Sequence, residues 1–376
     1  MSSIDLEELN SIPRELCVFL MNQVGICVST TEAATTQELV NKVYQAWFAN
    51  KNSSSSSSSS LQKKYANKEE ILRFFTIWIS SPMIEIQLKP LHRPFKVLFH
   101  WKDLVTKYGH QCLSDSTFEP IVSFQRNLFV QKWDEMMIED PRILQLLYEE
   151  AKFNVLDGRY PVETFEQLAA IQLAIELGPF NQKAHSHEFL RSKLRRLIGS
   201  DHRPVRPYSL HPVGIHDVED KAIYYYRCMN VPKSRAGLYR SYLEMCWPLP
   251  YYGSAYFLGK IERTSKNCLI YNSTMKVYVA VNYTGIHIIE EKRSKLLISL
   301  EYRGFRWQSS PFEEKVEELD ENSERMSSSL PPPKTPSFFL YFWSTQHLKT
   351  NIIQVTSPQS RLIITLLDTF SKELSK

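Results

Sequence analysis

Few side chains in this sequence stand at spacings that do covalent chemistry. His185-Ser186-His187 is the one close histidine pair. Two imidazoles can hold a metal ion, but no cysteine or acid sits beside them at zinc-ligand spacing, so a polar loop is the plainer reading. Cys246 is a nucleophile only if a base and an orienting group lie close by; otherwise it is a buried structural thiol. His211 and His216 fall in a proline-rich stretch with no predictable partner. Nowhere does a cluster of glycines follow a strand and open a helix, so phosphate-loop chemistry has no seat. No catalytic residue, metal ligand set or cofactor is therefore expected, and the chain reads as a non-enzyme.

What remains is the chemistry of contact. The sharpest charge feature is the basic run Arg191, Lys193, Arg195 and Arg196, continued by Arg203 and Arg206. Such a run can meet anionic lipid or an acidic partner segment. It is more simply the solvated face of an amphipathic helix. The net charge of +4 over 376 residues is small and argues against a dedicated nucleic-acid binder. A hydrophobic content of 43% suits a globular protein, and the length calls for two or three cores rather than one. The six cysteines are scattered without a C-x-x-C pair, and the acidic N-terminus lacks a hydrophobic signal core. Both features imply a reducing, cytosolic setting with free thiols. No apolar run approaches the length of a membrane span, so any membrane association is expected through a partner or a surface patch.

The elements that would position these groups fall into three blocks. The first is β-rich. Cys17–Leu20 and Ile26–Ser29 read as a hairpin, Thr35 or Thr36 caps a helix carrying Leu39, Val40, Val43, Trp47 and Phe48, and Phe75–Ile79 with Met83–Leu88 give two more strands. That order, β-β-α-β-β, fits a ubiquitin-like β-grasp. A run of eight serines within 52–60 is a low-complexity insert. The second block is helical. Trp133–Pro161 reads as one long amphipathic helix, with Asp140 as N-cap, Pro141 at its first position and Gly158 and Pro161 at its end. Phe118–Phe129 leads into it as a short helix or strand. Phe165–Leu177, His187–Ile198, Ala222–Met229 and Gly237–Cys246 follow as helices, and Trp247–Gly253 is an extended linker.

From Ser254 the period changes to two. Ala255–Ile261, Lys276–Val281, Gly285–Ile289, Lys295–Leu300, Gly304–Trp307, Phe338–Trp343 and Asn351–Val355 are seven strands, and Ser357-Pro358 caps a last helix bearing Leu362, Ile363, Leu366, Leu367, Phe370 and Leu374. Residues 309–337, acidic and then rich in serine and proline, are expected to be a disordered loop. Seven strands and a final helix give the order of a PH/PTB-type sandwich plugged at one end. There the strand before the long loop is a sheet edge whose free N–H and C=O groups can accept a peptide as a further strand. In this chain the edge is about Arg303–Gln308, with Arg303, Phe305 and Trp307 on the strand and Leu362, Leu366 and Phe370 offered by the helix. The same side chains can equally pack the core.

The three blocks and several stretches resemble the FERM family. The stretches are Ile77-Trp78-Ile79 with Glu85-Ile86-Gln87-Leu88-Lys89-Pro90, Leu147-Tyr148-Glu149-Glu150-Ala151-Lys152 with Arg159-Tyr160-Pro161, and Leu249-Pro250-Tyr251-Tyr252-Gly253. The resemblance implies an α+β multidomain protein of three lobes. These are a ubiquitin-like β-grasp over 14–108, an acyl-CoA-binding-protein-like helical bundle over 112–246 and a PH/PTB-like β-sandwich with a C-terminal helix over 247–376. It also implies a monomeric cytoplasmic adaptor, recruited to the inner face of the plasma membrane by the cytoplasmic tail of a membrane protein. The branch of the family it most resembles implies the N-terminal tail of an iRhom, stabilisation of an iRhom–sheddase complex, and a negative influence on Wnt signalling through a co-receptor tail. A second branch, the Krev interaction trapped proteins, implies a Rap-type small GTPase contacted by the first two lobes. Phosphoinositide anchoring is a third expectation.

Overall fold

The structure, a computed structural model, describes residues 13–49, 68–109, 119–198, 215–230, 232, 234–262, 274–310, 335–344 and 349–375. The serine run at 52–60, Arg203, Arg206, His211 and most of the 309–337 loop lie outside them. The chain forms two compact units, one of Met1–Thr106 with Cys112–Leu249 and one of Lys107–Gln111 with Pro250–Lys376.

The first unit opens on a hairpin, β1 (Arg14–Leu20) and β2 (Gly25–Thr30), whose inward residues Val18, Leu20, Ile26 and Val28 are buried. Helix α1 (Thr36–Tyr44) packs across the sheet. Thr35 is its N-cap in a reciprocal box with Glu38, which satisfies two of the N–H groups that a helix start leaves without partners. A turn of π-helix, Gln45–Ala49, extends it. Helix α2 (Lys68–Phe74) leads into β3 (Phe75–Ser80) and β4 (Glu85–Gln87). Helices α3 (Pro94–Phe99) and α4 (Trp101–Tyr108) follow.

The last strand of this sheet is β5 (Ile121–Arg126), and the order is β2-β1-β5-β3-β4, with β5 parallel to β1 and antiparallel to β3. A central strand therefore comes from beyond the expected lobe limit at 108. The segment read as a lead-in to the helices completes the β-grasp instead.

The helical part begins with two helices where one was expected: α5 (Lys132–Met136) and α6 (Pro141–Leu156). Asp140 explains the break. As N-cap it takes φ −65° and ψ 120°, which no helix can run through, and its carboxylate accepts from Arg142 N–H at 2.8 Å and Ile143 N–H at 3.4 Å. Helices α7 (Phe165–Leu177), α8 (His187–Ile198), α9 (Ile215–Cys228) and α10 (Arg235–Cys246) complete the bundle. Helix α7 is its centre, with Leu168, Ala169, Ala170 and Leu173 fully buried. Tyr148 of α6 stacks on Tyr239 and meets Tyr242 edge-on, each with centroids 5.0 Å apart.

Sheet and bundle are joined by ions as well as by apolar contact. The Arg126 guanidinium pairs with Glu135, at 5% and 0% side-chain exposure, and also donates to Val130 O at 2.6 Å. Trp247 Nε1–H donates to the other oxygen of Glu135 at 3.1 Å, and Arg126 N–H donates to Glu150 at 2.9 Å. Arg159 forks onto Glu85 at 2.5 and 3.0 Å. The stretch 247–253, expected as an extended linker, is a series of turns with Trp247, Tyr251 and Tyr252 buried.

In the second unit, β6 (Ala255–Glu262), β7 (Thr274–Val281), β8 (Gly285–Glu290), β9 (Lys295–Glu301), β10 (Phe305–Ser309), β11 (Ser337–Ser344) and β12 (Lys349–Thr356) form one sheet in the order β10-β11-β12-β6-β7-β8-β9. Gly285 has φ +155°, and a Cβ there would lie 1.8 Å from Leu300 O, so only glycine fits this start of β8. Helix α11 (Ser360–Leu374) closes the unit, burying Ile363, Leu367 and Phe370 against it. The N-cap of α11 is Gln359 rather than the expected Ser357-Pro358, because the Ser357 hydroxyl accepts from Gln359 N–H at 3.1 Å and donates to Leu258 O at 2.5 Å instead of reaching the helix's first turn.

Candidate functional site

The groove expected between the pre-loop strand and the last helix can be built residue by residue. β10 is one of the two edges of its sheet, and its neighbour on the sheet side is β11, in register from Phe305↔Phe342 to Ser309↔Phe338. Helix α11 lies against β10 and β7. Two faces of α11 must be told apart. Ile363, Leu367 and Phe370 are fully buried, whereas Leu362 and Leu366, one residue earlier on each turn, are only half-buried beside them. Phe370 packs against Tyr283 with the rings tilted and centroids 4.8 Å apart. It belongs to the core rather than to the groove, because the helix register turns it inward with Leu367.

The strand residues divide in the same way. Phe305 is buried, and Trp307 is half-buried. Arg303 is exposed on the turn between β9 and β10, outside the strand, since the edge begins at Phe305 rather than 303. Trp307 reaches across to the helix, where its Nε1–H donates to Asp368 Oδ1 at 2.9 Å. Tyr302 and Phe305 sit against it, with centroids 6.2 and 5.3 Å away. The Tyr302 hydroxyl, half-buried and donating to Asn282 O at 3.0 Å, is held protonated well above its ordinary range by desolvation. An edge backbone beside a helix suits an extended segment with apolar side chains at alternate positions, and the residue of α11 that meets β10 is Asp368, through Trp307.

A polar knot lies at the β7–β8 turn. Asn282 donates to Pro250 O at 2.8 Å and Tyr252 O at 3.1 Å, which ties the start of this unit to the β7–β8 turn. His287 faces Ser299 Oγ at 2.9 Å and Thr284 Oγ1 at 3.1 Å. Burial pushes its pKa down to about 4, so the ring is neutral at physiological pH.

The basic run is less free than its sequence implies. Arg191 forks onto Asp220 at 2.7 and 2.9 Å, Arg195 pairs with Glu219 at 2.9 Å, and Lys193 reaches Glu176 at 3.5 Å. Arg196 is exposed and has no ion-pair partner among the described residues. The bond from Arg191 holds the Asp220 carboxyl below its usual range, and the Glu219 carboxylate raises Arg195. His187 also meets Asp220, at 3.1 Å, and His185 accepts from Asn181 N–H at 3.1 Å beside the Tyr226 hydroxyl. Cys246 is fully buried, and desolvation pushes its thiol up to about 12. It is protonated and unreactive at neutral pH.

Comparison with known proteins agrees with this architecture at two levels. A family model described as FERM central domain matches residues 134–257, and one described as KRIT1/FRMD8, FERM domain C-lobe matches 275–366. The chain carries a FERM domain. FERM domain-containing protein 8 of Xenopus laevis is 36% identical over 249 residues, covering 62% of this chain and 55% of that protein. The Homo sapiens protein of the same name is 34% identical over 260 residues, covering 65% and 56%. The match thus spans a little over half the length of these relatives. Among solved structures, the human Myosin 7b C-terminal MyTH4-FERM domain in complex with a harmonin-a PDZ3 domain superposes with TM-score 0.58 at 15% identity, covering 100% of this chain and 64% of that one. The FERM and C-terminal domain complex of Drosophila Merlin gives 0.51 at 14%, covering 96% and 97%.

The FERM fold supplies both the edge strand and the helix beside it, but some of its exposed surface was not singled out from the sequence. Trp343 and Ile352, on β11 and β12, are 58% and 60% exposed. The signal was present in the alternation of Ser337–Ser344, where Phe338 and Leu340 are buried and Trp343 lies open. No helix among the described residues is long and apolar enough to cross a membrane.

Proposed function

We propose that this FERM domain is a non-enzymatic adaptor that holds the cytoplasmic tail of a membrane protein, and that the tail is the N-terminal cytoplasmic region of an iRhom. The single observation that carries the reading is the edge position of β10 beside a helix whose Leu362 and Leu366 are left half-open. A disordered tail orders on a preformed edge by making main-chain hydrogen bonds, and its alternate apolar side chains settle against the two leucines. Holding an iRhom in this way would stabilise the iRhom–sheddase complex at the cell surface, with the chain at the inner face of the plasma membrane while it holds the tail. The relatives named FERM domain-containing protein 8 support this branch of the family over others. The same edge would serve a Wnt co-receptor tail, giving a negative influence on that pathway through competition for one groove.

A pull-down with iRhom tail peptides tests the reading. Leu362→Asp puts a charge on the groove's apolar wall and is expected to weaken capture at least ~10-fold, since about 1.4 kcal/mol of lost contact suffices. Undiminished capture by the variant removes the groove from the account. Saturable binding of a GTP-loaded Rap-type GTPase, absent with GDP, would favour the effector reading instead. Anionic vesicles are expected to bind weakly, because Arg191, Lys193 and Arg195 are already paired with acids of the bundle.

A further inference from the structure

The first hairpin holds a feature that neither the groove nor the family resemblance uses. Cys17 of β1 and Cys27 of β2 are register partners. The turn decides which kind of pair they make. Leu20 N–H donates to Val24 O at 2.9 Å, with Gln23 in the left-handed region at φ 66°, so Leu20 points its backbone groups at β2. Alternation along β1 then gives Val18 the next hydrogen-bonded position and leaves Cys17 and Cys27 as a non-hydrogen-bonded pair. Pairs of that kind bring Cα atoms to about 4.5 Å with side chains on the same face, within the span a disulfide bridges. Residue 25 carries no side chain, and a Cβ there would stand 3.2 Å from Cys17 Sγ, so the glycine leaves the sulfur its room.

The pair is also reachable. Val18, Ile26 and Val28 point into the core, while Cys17 is half-buried and Cys27 is exposed on the outer face. β2 is the edge of its sheet, so nothing in the sheet covers Cys27 from that side. We infer that Cys17 and Cys27 are a redox modification site that closes to a reversible cross-strand disulfide when met by a low-molecular-weight disulfide such as oxidised glutathione.

The two thiols have distinct roles. Burial first, then a hydrogen bond to Cys27 and repulsion from its charge, raise the Cys17 thiol above its ordinary pKa. Cys27 is therefore the first to attack. Its thiolate takes one sulfur of the small disulfide and expels the other as a thiolate, which picks up a proton. Once Cys27 is in the mixed disulfide its charge is gone, and with it the repulsion felt by Cys17. Cys17 then loses its proton to solvent, attacks the Cys27 sulfur and expels the second small thiol. Two electrons and two protons pass from the protein to the small disulfide, which ends as two thiols. An exposed bridge of this kind is reopened by excess reduced thiol.

The test uses the whole folded chain. It is incubated with oxidised glutathione, its remaining thiols are alkylated, and it is digested with trypsin without reductant. Arg14 and Lys42 flank one tryptic peptide, 15–42, that contains both cysteines. The expected product is that peptide two hydrogens lighter and unalkylated, restored to two alkylatable thiols by prior treatment with reduced glutathione. Cys17→Ser should instead trap glutathione on Cys27, and Cys27→Ser should leave Cys17 alkylated. Recovery of the wild-type peptide with both cysteines alkylated, while the exposed Cys228 has been modified, overturns the inference. So does a mixed disulfide on Cys27 that persists in the wild-type chain.

Discussion

Replacing Arg126 by methionine probes what holds the sheet to the helical bundle in the first unit. Arg126 and Glu135 are 5% and 0% exposed, and the Glu135 carboxylate has the Arg126 guanidinium on one oxygen and Trp247 Nε1–H on the other. Methionine keeps the volume of the arginine stem but leaves a carboxylate in the interior with the indole donor. The protein must then bury that charge or protonate it, and either route costs about 3–5 kcal/mol. Val130 O, which accepts from Arg126 at 2.6 Å, loses a donor as well. Changing both residues, Arg126→Met with Glu135→Leu, removes the stranded charge. What then remains is the Trp247 N–H without its acceptor and the carbonyls of Val130 and Asn127, each short of an Arg126 donor, about 1–3 kcal/mol each at most. The double variant should therefore be more stable than either single variant. Urea unfolding followed by tryptophan fluorescence, with each transition fitted separately, reads the difference. A single variant losing less than about 1 kcal/mol, or a double variant losing the sum of the two singles, would refute the reasoning.

Three further outcomes follow from the same geometry. His287 has its pKa pushed down to about 4 by burial, so the neutral form is the folded one. Its contribution is complete above pH 6.5 and is lost as pH falls from there toward 4, about 3 kcal/mol in all, and pH-dependent unfolding of the second unit checks it. Glu150 is the opposite case. Burial raises it to about 7 against the opposing pull of Arg126, with Glu135 and Glu85 adding to the rise, so its folded form is stable below pH 4.5 and loses stability as pH climbs toward 7. Glu150→Gln keeps an acceptor for Arg126 N–H and should flatten that slope in a urea titration of the first unit. Gly285→Ala should cost more than about 3 kcal/mol or abolish folding of the second unit, seen by circular dichroism, because its Cβ would overlap Leu300 O.

Local signals in this chain were the most legible. Asp140 before Pro141 announced a helix start, and the capping chemistry appears where the residue types placed it. The same Asp140 was overlooked as a breaker of the helix before it, since a periodic apolar stripe can run across a cap. A strand at β5 is one of the two readings its sequence allows, but its place at the centre of the first sheet is not legible, because its partners, β1 and β3, are distant in sequence and its pairing with β1 is parallel. Helices α3 and α4 leave little signal in the sequence; Pro94 starts the first of them, but neither carries a long apolar stripe. Charge was legible in amount and not in state. The run on α8 is basic in the sequence, yet Glu219 and Asp220 come from α9, which packs beside it only in the fold. In the groove the strand and helix were foreseeable, while the inward turn of Phe370 and the bond from Trp307 to Asp368 depend on how α11 is rotated against the sheet.

The most direct measurement is hydrogen exchange of Phe305–Ser309 with and without a saturating iRhom N-terminal tail peptide. Addition of the peptide as a strand predicts slowed exchange at alternate amides of β10, lost again in Leu362→Asp. Bound peptide with no change in exchange along β10 would contradict it.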